Sequence, residues 1–137
     1  MNLSARDRDR LKGVHPALVQ VVEGAFERFD QAFSEAPSFR VFVIEGVRTV
    51  ERQAEYVRTG ASRTMKSRHL TGHAVDLGIQ SGGAARWELP LFRKLWLECM
   101  QPVAVQLGIQ VEWGGVAFGS RFVDGPHFQL SHAHYSA

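Results

Sequence analysis

Between Pro16 and Pro37 the apolar residues Leu18, Val21, Val22, Ala25, Phe26 and Phe29 fall three or four positions apart, and just beyond Pro37 the pattern switches to the β-rich run Phe39-Arg40-Val41-Phe42-Val43-Ile44-Glu45-Gly46. The first spacing puts all six side chains on one face of a helix; the second suits a largely buried strand. A chain that must bury both has few layer arrangements open to it, and an α+β plan with helices packed on a small antiparallel sheet meets both demands.

The other periodicities extend that plan. Ser4 can cap a short helix over residues 5–12 closed by Gly13, and Thr49 can cap another over 50–58, where Val50, Ala54 and Val57 keep helical spacing up to Gly60. Residues 61–70 read as a polar loop, 73–79 as an alternating strand, and 81–85 as a Gly-rich loop. A strongly apolar helical region covers 89–107, with Pro102 expected to kink or divide it and Gly108 to end it. Short strands are expected at 110–113 and 127–130, joined by a loop holding Gly114, Gly115 and Gly119.

The 137 residues suit a single domain, 1–137, without internal repeats. Sixteen Lys and Arg against fourteen Asp and Glu leave a net charge of +2, with the arginines dispersed, which argues against a nucleic-acid partner and only mildly favours an anionic polymer. No stretch approaches the ~18 apolar residues of a membrane span, so no membrane insertion is expected. Residues 1–16 lack the apolar core of a signal peptide, which predicts synthesis in a cytoplasm. A substrate outside the cell would then require release by another protein. The one cysteine, Cys99, lies at helical spacing from Leu95, Trp96 and Val103 and belongs in a core; a zinc site here must be built from histidine and carboxylate.

Two segments carry that inventory. In Ser67-Arg68-His69-Leu70-Thr71-Gly72-His73-Ala74-Val75-Asp76, a loop bearing His69 runs into a strand on which Asp76 shares a face with the small Ala74, while His73 points the other way. In Asp124-Gly125-Pro126-His127, the proline fixes the backbone ahead of a strand starting at His127, and Asp124 supplies a nearby carboxylate. Catalytic zinc uses three protein ligands and an open position, with a separate acid or base to move protons. Asp124 could instead be a turn residue before Gly125-Pro126, and Arg48 has Glu45, Glu51 and Glu55 as surface partners within reach. Trp113, before Gly114-Gly115, fits either a cleft wall or the core. His132 and His134 fall in a terminal segment expected to be mobile.

The pattern Ser67-x-His69-x-x-Gly72-x-Ala74-x-Asp76, the later Asp124-x-x-His127, and Glu45-Gly46-Val47-Arg48-Thr49 with Gln53 resemble the zinc peptidases that include D-Ala-D-Ala carboxypeptidases and dipeptidases and phage L-alanyl-D-glutamate endolysins. The resemblance spans Val43 to Leu130. It implies the fold named for Hedgehog and D-Ala-D-Ala peptidases, Zn2+ held by His69, Asp76 and His127, Asp124 as catalytic base, and Arg48 as stabiliser of the oxyanion. Ser67 is expected to buttress the site by hydrogen bonding. The compact length and the Asp at the base position resemble the endolysin branch, implying the peptidoglycan stem peptide as substrate and a phage pore protein as a partner for release. The alternatives are removal or cleavage of D-Ala-D-Ala by the same chemistry, or a zinc-containing wall-binding module without turnover.

Overall fold

A computed structural model describes residues 3–119 and 123–136. Ser4 begins the first helix, α1 (Ala5–Arg10), through a reciprocal capping box: its Oγ accepts from the Asp7 amide and its own amide donates to the Asp7 carboxylate, both at 3.0 Å. The helix stops two residues short of the expected end. Helix α2 (Pro16–Ala32) is capped by His15, whose Nδ1 accepts from the Ala17 amide, and it buries all six residues of the apolar stripe. Strand β1 (Phe39–Glu45) follows Pro37, and helix α3 (Val50–Thr59) runs from its Thr49 cap to Gly60.

The stretch expected to be a polar loop ends in a 3-10 turn, Arg68–Thr71, capped by Ser67. Gly72 closes it at φ 77, and a Cβ there would stand 2.4 Å from the Gly13 carbonyl oxygen, so the turn seats only on glycine. Strand β2 (Ala74–Ser81) comes next. The Gly-rich loop expected over 81–85 is instead a tight turn at Gly82-Gly83 leading into a short strand, β3 (Ala84–Arg86), that folds back on β2.

The apolar helical region divides differently from expectation. Helix α4 (Leu89–Leu95) passes into a π-helical segment, Trp96–Met100, and then into α5 (Gln101–Leu107), with Gly108 as the stop. Pro102 has no amide to offer the Glu98 carbonyl one turn earlier, and the backbone widens ahead of it. The Arg28 Nε takes that carbonyl as acceptor at 3.2 Å.

Strands β4 (Val111–Trp113) and β5 (His127–Leu130) complete an antiparallel sheet of order β1-β2-β5-β4, with β3 paired to β2 beside this path. The inner residues Leu77, Ile79 and Phe128 meet Phe26 and Phe29 of α2 and Phe92, Leu95, Cys99 and Met100 of the helical region in one buried cluster. Burying each large side chain contributes about 1.5–3 kcal/mol before chain entropy is counted. Trp113 belongs to this core, at 1% exposure, and its indole N–H donates to the Gly125 carbonyl at 2.7 Å, excluding a cleft role.

The sheet register does more than hold the core. Glu45 pairs with Asp76 across β1 and β2, and Asp76 pairs with His127 across β2 and β5. Three chemistry-bearing residues thus form a row across three adjacent strands.

Candidate metal centre and catalytic cleft

His69 is carried by the 3-10 turn and locked from both sides. Its Nδ1 donates to the Gly46 carbonyl at 2.8 Å, its backbone carbonyl accepts from the Arg48 amide at 3.0 Å, and its amide donates to Ser67 Oγ at 3.2 Å. Ser67 therefore steadies the backbone beneath the imidazole. With Nδ1 committed as donor, the Nε2 lone pair of the neutral ring points at Asp76 Oδ1, 3.2 Å away.

His127 presents the opposite nitrogen. Its Nε2 donates to Gln129 Oε1 at 2.8 Å, so Nδ1 carries the lone pair that faces the same Asp76 oxygen, again at 3.2 Å. The two rings meet edge to face with centroids 5.1 Å apart. His69 and His127 are buried, and Asp76 keeps 19% side-chain exposure toward the cleft. His69, Asp76 and His127, brought together from three places in the sequence, form a group able to hold a metal ion, with ligand atoms all within 4.8 Å of one another.

The electrostatics agree with that geometry. Burial alone would raise the Asp76 carboxyl, yet positive charge shared with His127 and His69, a proton standing where a metal ion would, outweighs it and holds the group well below the usual carboxylate range. Burial lowers His127, and Asp76 more than offsets this, leaving it raised. Cation-favouring potential is concentrated where the three donors converge.

Arg48 stands beside this group. Nε and Nη2 donate to Glu45 Oε1 at 3.0 and 2.6 Å, Nη1 donates to Gln53 Oε1 at 2.7 Å, and Nη2 lies 3.6 Å from Asp76 Oδ2. Its guanidinium also lies over the Tyr56 ring at 4.6 Å. Of the three carboxylates within sequence reach, Glu45 is the partner, and the pairing fixes the guanidinium at the cleft.

Asp124 lines the same cleft, a cavity of about 550 Å³ bounded also by Arg48, His69, Asp76, His127 and the loop from Ala61 to Ser67. Its amide donates to the Gly114 carbonyl, and its own carbonyl accepts from the His127 amide. A Cβ at Gly114 would sit 2.3 Å from the Asp124 carbonyl oxygen, so this close approach requires glycine. Partial burial, and next the Asp76 charge, raise the Asp124 carboxyl. It is both the turn residue and a cleft carboxyl.

Several neighbours escaped the sequence reading. Gln129 shares the β5 face with His127, and the two-residue spacing was the signal available; Glu112 meets it only through the pairing of β4 with β5. Tyr56 and Phe118, whose ring lies 5.4 Å from that of His127, had no motif to mark them. His73 turns from the centre to hydrogen bond with Thr71. The terminal segment is tied down: His132 pairs with Arg68, and His134 with Ser131.

A model of the phage L-alanyl-D-glutamate peptidase family matches residues 1–131. The chain belongs to this family. The family member is 38% identical over 103 residues to the L-alanyl-D-glutamate peptidase of Listeria phage A118, which covers 75% of the chain but only 34% of the phage protein. It thus spans about a third of that relative's length. A second relative, the L-alanyl-D-glutamate peptidase of Escherichia phage T5, is 28% identical over 111 residues, covering 77% of the chain and 73% of the relative. The crystal structure of the Serratia marcescens L-Ala D-Glu endopeptidase ChiX superposes with a TM-score of 0.83 at 39% identity, covering 100% of this chain and 95% of that one. Helices on a small antiparallel sheet, the α+β plan implied by the motifs, are therefore the fold of this family member. No helix among the described residues is long and apolar enough to cross a membrane.

Proposed function

We propose that the chain is a zinc-dependent endopeptidase of endolysin type that hydrolyses the L-alanyl-D-glutamate bond of the peptidoglycan stem peptide. The observation that carries the reading is the convergence of His69 Nε2 and His127 Nδ1 on Asp76 Oδ1, with the outer hydrogen bonds of the two rings leaving those nitrogens to face the carboxylate. Lone pairs facing one another at 3.2 Å repel unless a cation or proton lies among them. Ligands about 2.0–2.2 Å from a tetrahedral zinc ion stand roughly 3.3–3.5 Å apart, so the donor set and its spacing fit zinc.

A zinc ion held there supplies a Lewis acid that polarises the scissile carbonyl and acidifies water to a pKa of roughly 7. The chain's own groups do the rest. Asp124, raised by burial, is a stronger base than an exposed aspartate; it takes the proton of the attacking water and returns it to the leaving amine. A guanidinium has five N–H donors, and three of Arg48's are engaged by Glu45 and Gln53, so a further one is available to the oxyanion from a fixed position. The cleft loop carries Arg63 and Lys66, cations suited to an acidic stem peptide.

Digestion of purified peptidoglycan followed by mass spectrometry of the new termini tests the bond. Fresh N-terminal D-Glu, lost on chelation and restored by zinc, is the expected result. Free D-Ala would transfer the reading to D-Ala-D-Ala chemistry, and wall binding with no released amine would make the protein a binding module.

A further inference from the structure

Behind His127 the hydrogen bonds continue out of the cleft. Gln129 Oε1 receives the His127 Nε2 proton at 2.8 Å, and Gln129 Nε2 donates to Glu112 Oε1 at 3.1 Å, across the β4–β5 pairing of Glu112 with Gln129. A primary amide can turn over and exchange its oxygen for its NH2 group. A carboxylate only accepts, so Glu112 tolerates one orientation, with the NH2 toward itself and the oxygen toward His127.

We propose that Glu112 is a positioning residue for the metal centre: by pinning the Gln129 amide it commits His127 to carry its proton on Nε2 and to present Nδ1 beside Asp76. With the amide reversed, the NH2 would face Nε2, the ring would place its proton on Nδ1, and the electron pair would point away from Asp76 and His69. The Glu112 charge also favours the Arg68 guanidinium, which is anchored to the Leu130 and Tyr135 carbonyls. Glu112 stands opposite Gln129 on the sheet face that carries His127, and Gln129 is buried at 8% exposure, so water does not readily replace its amide. Outer partners of this kind commonly change metal affinity by about 10–100-fold.

This inference rests on His127 being a metal ligand, and the test separates the two. Zinc affinity is measured by competition with a chromogenic chelator for the unaltered chain, Glu112→Ala, Glu112→Gln, Gln129→Met and His127→Ala. In the zinc-loaded proteins the exchange rate of the His127 Nε2 proton is read by NMR. The expected result is about tenfold weaker zinc binding and faster Nε2-proton exchange in Glu112→Ala and Gln129→Met. Glu112→Gln keeps the shape, but its amide can turn over together with that of Gln129, so it should lose part of the affinity and part of the protection from exchange. Unchanged affinity and exchange in Glu112→Ala or in Glu112→Gln overturns the positioning role. Should Glu112→Ala fail to fold, Glu112→Gln gives the same comparison. Zinc retained at full affinity by His127→Ala would instead overturn the metal-centre assignment.

Discussion

The side-chain amide of Gln53, completely buried, accepts a hydrogen bond from Arg48 Nη1 at 2.7 Å and donates to Ser62 Oγ at 2.9 Å and to the Thr64 carbonyl at 2.6 Å. One residue of α3 thus fixes the cleft arginine and the loop that forms the cleft wall. Gln53→Ala removes all three bonds and leaves a buried cation short of a partner. We expect a loss of about 2–3 kcal/mol, seen as a Tm lower by roughly 6–10 °C. Turnover should fall with little change in metal content; unaltered kcat would show that Arg48 keeps its position without the amide.

Asp124→Asn keeps the shape of the turn but cannot take up a proton. Stem-peptide hydrolysis should drop by at least about 10²-fold while the protein retains zinc, measured by kinetics and elemental analysis on one sample. Loss of metal in this variant would reassign Asp124 as a ligand.

Zinc should stabilise the fold as well as equip it, because the donors come from a 3-10 turn and two strands that only the folded chain brings together. At a free zinc concentration 100 times Kd the gain is about 2.7 kcal/mol, and chelation should remove it. Thermal scans across a zinc series check this, and a flat Tm would contradict a site built from these elements.

Burial pushes the Cys99 thiol up to about 12, and the residue has no exposed surface. The native protein should therefore resist Ellman's reagent at pH 8 and keep its activity in iodoacetamide, with the thiol titrating once the chain is unfolded in guanidinium. Rapid native labelling would mean that the helical region around Trp96–Met100 opens readily.

Much of this was legible in the sequence because it is written in local spacing. The stripe from Leu18 to Phe29, the caps at Ser4 and Thr49 and the stops at Gly60 and Gly108 each depend on neighbours a turn away. His69, Asp76 and His127 stood out as candidate ligands because the motifs around them resemble those of zinc peptidases, and the fold brings the three together as a group able to hold a metal ion. What escaped depends on contacts distant along the chain or on elements too short to show a period. The turn Arg68–Thr71 and strand β3 have four and three residues. The place where the long helical region yields is set by where the carbonyl freed by Pro102 finds Arg28, 70 residues away. Glu112 and Gln129 meet only once β4 and β5 are in register.

The capped first helix also guards the border of the sheet. Val43 lies on β1, the strand at one end of the strand order, and its amide donates to the Asp7 carboxylate at 2.9 Å while its carbonyl accepts from Arg10 Nη1 at 2.9 Å. Both groups that a visiting strand would need at this position are already taken by side chains of α1. Addition of another polypeptide along this flank, the first step of edge-to-edge aggregation, is blocked midway along β1 without any loss of hydrogen bonding in the protein itself.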